Sequence, residues 1–158
     1  MAIRQIRFEG DEILRKKCKE VKVMNDRTLE LIDDMFETMY EANGVGLAAP
    51  QVGILKRIVV IDIDDGNPLV LINPVIEEMD GEQIGEEGCL SLPGECATVK
   101  RPNHVVCRAL NEDMEEFVVE GTELLARAIC HEVEHLDGIL YIDRMEPGTR
   151  HRNDQPAE

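Results

Sequence analysis

His131 and His135 stand four positions apart in His131-Glu132-Val133-Glu134-His135. On an α-helix this spacing sets both imidazoles on one face, one turn apart, so both can address a single divalent metal ion. Glu132 lies beside them as a base for bound water. A catalytic site of this kind needs a third protein ligand and an open position. The longer protease pattern HExxHxxGxxH is matched through Gly138, but its third His position holds Tyr141, which sets that reading aside. The other histidines are His104, at the start of a predicted strand, and His151, in a polar tail. Cys89 is the better candidate. In Glu87-Gly88-Cys89-Leu90-Ser91, read as a short segment between strands, a thiolate and a backbone N–H can converge. A lone Cys is more often a small buried residue, so its neighbours carry the reading. Gly88 permits close backbone approach, and Pro93-Gly94 bends the chain away.

A third cluster is Gly44-Val45-Gly46-Leu47-Ala48-Ala49-Pro50-Gln51. Its small residues let another chain lie close to the backbone, and the Gln51 amide can donate to a developing oxyanion. By itself a Gly following a helix is commonly only a cap.

Together GVGLAAPQ (44–51), EGCLS (87–91) and HEVEH (131–135) match, in order and with similar spacing, the three signature motifs of the peptide deformylases, and the resemblance runs through Met145. It implies an α+β fold and removal of the N-formyl group from the formyl-methionine of newly made polypeptides, with release of formate. Cys89, His131 and His135 become the ligands of one divalent metal per chain, Glu132 the acid/base, and Gln51 and the Leu90 N–H the oxyanion donors. The resemblance implies Fe(II) as the native ion, and the ligand set also suits Zn(II), Ni(II) or Co(II). Substrate backbone would lie along Gly44, Val45 and Gly46. Leu124 and Ala128, seven and three positions before His131, share its helical face and are candidate pocket walls, although the core is an equally good home for Leu124. One departure is Glu134, where the family more often has Asp; a longer carboxylate can still support a neighbouring side chain.

Two other readings stay open. One is an HExxH metallopeptidase whose third ligand is a downstream carboxylate. The other is a non-catalytic homologue with a structural or binding metal site, against which the intact Glu132, Gln51 and Cys89 speak.

The elements that must position these residues are legible in outline. Residues 11–19 read as a short helix with Ile13 and Leu14 inward. A stronger helix follows Asn25/Asp26, with Leu29, Ile32, Met35, Phe36, Met39 and Tyr40 at spacings of three and four, and stops at Asn43-Gly44. Strands are expected over 57–63 and 69–72, separated by Asp64-Asp65-Gly66-Asn67-Pro68, and as a hairpin over 104–110 and 114–119. Thr122 then opens a helix with Leu125, Ile129, Val133 and Leu136 along one face, closed by Asp137-Gly138. The fold class is therefore α+β, with antiparallel strands packed around a C-terminal helix that carries HExxH, plus N-terminal helices. Residues 1–147 are expected to form one catalytic domain, and 148–158 a disordered polar tail.

Composition narrows the partners. The chain has 158 residues, 33 acidic against 17 basic, and a net charge of −16. Such a surface repels phosphate backbones and anionic lipid, which argues against direct DNA or membrane binding. The aromatics are only Phe8, Phe36, Phe117, Tyr40 and Tyr141, too few for platforms that stack single-stranded bases. Residues 1–23 carry a net +3, read as a solvated helix face rather than a ribosome contact, with transient ribosome association kept as the alternative. Five cysteines without a CxxC pair speak for reduced thiols, and no apolar leader or spanning segment is visible, so a cytoplasmic location is expected. Cys130 points about 100° from His131 on an ideal helix and belongs to the core. Cys18, Cys96 and Cys107 show no ligand partners at useful spacing, and Arg101 is a candidate contact for a substrate carbonyl or carboxylate.

Overall fold

The computed structural model describes residues 2–152. Among these, helix α1 (Asp26–Glu41) and helix α2 (Glu123–His135) pack with strands β1 (Gly46–Ala48), β2 (Ile58–Ile61), β3 (Leu69–Asp80), β4 (Gln83–Cys89), β5 (Leu92–Arg101), β6 (His104–Leu110), β7 (Glu116–Thr122) and β8 (His151–Arg152). Every strand pairing is antiparallel. One sheet has the order β1-β2-β3-β6-β7 and the other β4-β5-β8.

β2 shows why the larger sheet sits between the helices. Its residues Ile58-Val59-Val60-Ile61 are all buried because both faces of the strand are covered. Ile58 and Val60 pack with Leu31, Ile32, Met35 and Met39 of α1. Val59 and Ile61 pack with Ala126, Ile129 and Cys130 of α2. Side chains alternate across a strand, so one apolar run serves two cores. Fully burying a side chain such as Ile129 stabilises by about 1.5–3 kcal/mol, whereas helix propensities differ by only about 0.7 kcal/mol per residue among ordinary residues. Packing on the sheet, not propensity, therefore holds α2 in register.

α1 is capped by Asn25, whose side chain accepts from the Thr28 N–H. Its buried stripe runs through Thr28, Leu31, Ile32, Met35 and Met39. Leu29 (38% exposed) and Tyr40 (49%) lie outside it, against expectation, because at 100° per residue they fall on the solvent side.

The helix expected over 11–19 is a single 3-10 turn, Glu12–Arg15, with Leu14 buried and Ile13 only partly so. Beyond it the backbone is extended and tied to other elements, Cys18 N–H donating to the Leu136 carbonyl and Lys19 N–H to that of Leu55. These bonds replace helical ones in a lysine-rich stretch with little apolar surface to bury. Pro93-Gly94 does not bend the chain away. Both lie inside β5, and reversal occurs at Leu90-Ser91, between the paired Cys89 and Leu92. The start of the tail is also ordered: His151 pairs with Cys96 and Arg152 with Glu95. Residues 153–158 of the expected disordered tail lie outside the described residues. No helix among the described residues is long and apolar enough to cross a membrane.

Candidate metal centre

Two elements converge on one point. α2 supplies His131 and His135, and the end of β4 supplies Cys89. One ligand atom from each lies within 4.8 Å of the other two, and the Cys89 Sγ to His135 Nε2 separation is 3.3 Å. Both imidazoles are buried. Burial first, and His131 next to it, holds His135 well below its ordinary value, which keeps the ring neutral and able to ligate.

Glu87 orients the other imidazole. Its Oε2 meets His131 Nδ1 at 2.5 Å, which leaves Nε2 of that ring for a metal. The same carboxylate accepts from Arg101 Nε and Nη2 (3.1 and 2.7 Å) and from Arg127 Nη1 (2.7 Å). Burial opposes its ionisation, but the hydrogen bonds from His131 and Arg101 outweigh burial and hold the carboxyl well below the usual range. Arg101 is therefore not a free substrate contact, contrary to expectation. It is buried, and its Nη1 donates to Glu134 Oε1 at 2.8 Å. Glu134 also accepts from Arg144 at 2.9 Å, the supporting role its longer side chain allows.

Glu87→Gln is expected to weaken metal binding about 10- to 100-fold, because the imidazole loses its anionic partner. It should also lower the Tm, since breaking a buried ion pair costs about 3–5 kcal/mol. Competition with a chelator, alongside thermal denaturation, measures both; unchanged affinity would contradict the orienting role.

Glu132 points the other way, toward β1. A Cβ on Gly46 would come within 2.5 Å of its Oε2, so only glycine leaves room for this carboxylate against the strand. Oε2 lies 4.0 Å from His131 Nε2, and Oε1 is buried without a hydrogen-bond partner. Burial raises the Glu132 carboxyl to about 7, the range in which a group can both take and return a proton. Burial alone would depress His131, yet Glu132, Cys89 and Glu87 outweigh it and raise that ring. The donor set of one thiol and two imidazoles and the orphaned Glu132 oxygen both fit a bound cation.

Gln51 is buried just behind the sulfur. Its Oε1 accepts from the Ala48 N–H (2.9 Å), while Nε2 donates to Ser91 Oγ (3.0 Å) and lies 3.5 Å from Cys89 Sγ. Leu90 caps the β4–β5 turn, its side chain filling the space that a Cβ on Gly44 would need. A cavity of about 680 Å³ opens here, walled by Gly44, Val45, Leu90, Leu124 and Ala128 and floored by Glu132. Leu124 is half exposed at its mouth and Ala128 is buried.

Tyr141, standing where the longer protease pattern has its third His, stacks on His131 with ring centroids 6.0 Å apart. Cys18, Cys107 and Cys130 are buried, which pushes each thiol up to about 11. Sequence reasoning missed Arg127 and the role of Glu87. Arg127 sits four residues before His131 on the same face of α2, a spacing that could have flagged it.

The family model described as polypeptide deformylase matches residues 3–151. A peptide deformylase of Agathobacter rectalis is 63% identical over 146 residues, covering 92% of each chain. One from Clostridium botulinum is 63% identical over 144 residues, covering 91% of this chain and 97% of that one. Among solved structures, a peptide deformylase from Legionella pneumophila superposes with a TM-score of 0.89 at 45% identity, covering 92% of this chain and 87% of that one. A peptide deformylase from Synechococcus elongatus, solved in complex with actinonin, gives 0.88 at 42% identity, covering 92% and 80%.

Proposed function

Since the chain belongs to the polypeptide deformylase family, we infer that the convergence of Cys89, His131, His135 and Glu132 is where its chemistry takes place. The activity is hydrolytic removal of the N-formyl group from nascent polypeptides. The observation that carries the site assignment is the buried Glu132 Oε1, unpartnered beside three ligand atoms that share one small volume. We assign residues 1–147 to the catalytic unit.

Cys89, His131 and His135 would hold the catalytic divalent ion, Fe(II) by family resemblance, with Zn(II), Ni(II) and Co(II) also suited to the donors. When bound, such an ion supplies Lewis acidity and a water acidic enough to act near neutral pH. Glu132 takes the proton of the attacking water and returns it to the departing amine. The Gln51 amide has two hydrogens; Ser91 engages one, and the other, now facing the Cys89 sulfur, is available to the formyl oxygen as charge develops. The Leu90 N–H serves the same oxygen from the turn. β1 is an edge strand, so an extended peptide can add alongside Gly44, Val45 and Gly46 through main-chain hydrogen bonds. The methionine side chain then enters the cavity between Leu124 and Ala128. A transient contact with the ribosome through the basic N-terminal segment would bring nascent chains to the site, in keeping with a cytoplasmic location.

Mass spectrometry of paired peptides tests this reading. A formyl-methionyl peptide should lose its formyl group, while the acetyl-methionyl analogue, with a methyl group where the formyl hydrogen was, should persist. Cleavage of internal peptide bonds instead would favour the metallopeptidase reading.

A further inference from the structure

A second set of ligand-type side chains meets where β8 pairs with the smaller sheet. β4 carries Glu86, β5 carries Cys96, and β8 places His151 directly opposite Cys96. Cys96 Sγ lies 3.2 Å from His151 Nε2 and 3.6 Å from Glu86 Oε1, and His151 Nε2 lies 3.2 Å from Glu86 Oε2. The expectation that Cys96 lacks a partner is thus corrected: its partner lies 55 residues further along the chain.

We propose that Glu86, Cys96 and His151 form a second metal site, taking a thiophilic divalent cation of the zinc type and clipping β8 onto the β4–β5 hairpin. Zinc bonds of about 2.3 Å to sulfur and about 2.0–2.1 Å to nitrogen or oxygen, set at tetrahedral angles, put the ligand atoms roughly 3.3–3.6 Å from one another. The sulfur-to-nitrogen separation of 3.2 Å lies close to that range; the carboxylate faces the sulfur through Oε1 at 3.6 Å and the imidazole through Oε2 at 3.2 Å, and one ligand atom from each of the three residues lies within 4.8 Å of the other two. His151 Nδ1 lies 2.7 Å from the Thr149 carbonyl, which can only accept. Nδ1 therefore carries a proton, and in the neutral ring Nε2 is the nitrogen whose lone pair faces the thiol and carboxylate, the arrangement of a ligating histidine with an outer partner. An ion pair of Glu86 with His151 would explain two of the three groups. It does not explain a buried thiol aimed at both. Soft sulfur and imidazole donors select zinc-like ions over magnesium or calcium. Since Glu86 also lines the cavity described above, occupancy would neutralise a negative charge at its rim.

The proposal is independent of the deformylase reading, and metal counting separates the two. Reduced, metal-stripped protein is dialysed against excess Zn(II), washed and analysed for metal, with circular dichroism as a check on folding. The wild-type chain should hold two ions. His151→Ala and Cys96→Ser should each hold one and keep deformylase activity, whereas Cys89→Ser should retain one ion at this second site. Co(II) added to Cys89→Ser should give thiolate-to-metal absorption that disappears when His151→Ala is added. His151 is exposed on a two-residue strand, so its variant carries the test even where Cys96→Ser fails to fold. Saturation of the wild-type chain at one ion, or two ions retained by His151→Ala, overturns the proposal.

Discussion

Glu132→Ala should reduce formate release by about 10²- to 10⁴-fold, the span that a positioned general acid/base contributes, while leaving the catalytic ion in place. The carboxylate is buried, unpartnered at Oε1, packed against Gly46 and 4.0 Å from His131 Nε2. In the proposed site it is placed to exchange protons, not to complete the ligand set, which is assigned to Cys89, His131 and His135. The loss should therefore fall on kcat with metal content unchanged. Glu132→Gln, of nearly the same shape, should be equally impaired, since an amide fills the space but cannot accept the proton. Steady-state kinetics with metal analysis on the same samples would check this. A variant retaining more than a tenth of wild-type kcat would move the proton transfer to another group.

Cys89→Ser should abolish activity by a different route, through the metal. Serine keeps the volume but replaces a soft, readily ionised sulfur with a hydroxyl that stays protonated near neutral pH, leaving two imidazoles to hold the ion. Metal affinity should fall by more than the roughly 10- to 100-fold expected when only an outer partner is lost, and activity should follow occupancy. The measurement is best made on a His151→Ala background, so that only this site is counted. Retention of both metal and activity would remove Cys89 from the ligand set and return the metallopeptidase reading to the front.

How far the sequence could be read depended on the range of the interactions involved. HEVEH could be interpreted because its two histidines act through helical periodicity, a local property, and β6 was bounded correctly at His104 and Leu110 because its apolar run ends in turn residues. β4 and β5 were not foreseen as paired strands. Their sequence is rich in Gly and Glu, with exposed positions along β4, so the pairing registers as little hydrophobic alternation. The buried cluster around Glu87 was equally hidden. Its partners lie 14, 40 and 44 residues away, and nothing local distinguishes a carboxylate that will meet two guanidinium groups and an imidazole from one that will meet water. The same limit applied to Arg101, which looked available for substrate until the fold placed two carboxylates on it.

The most direct test of the central claim is the stoichiometry of formate released from a formyl-methionyl peptide by protein purified without oxygen and shown to carry its catalytic ion. The account predicts one formate for each new free N-terminus with the wild-type chain, and almost none with Glu132→Ala at equal metal content. Fully loaded wild-type protein that releases no formate would contradict it and leave the site as one that binds without catalysing.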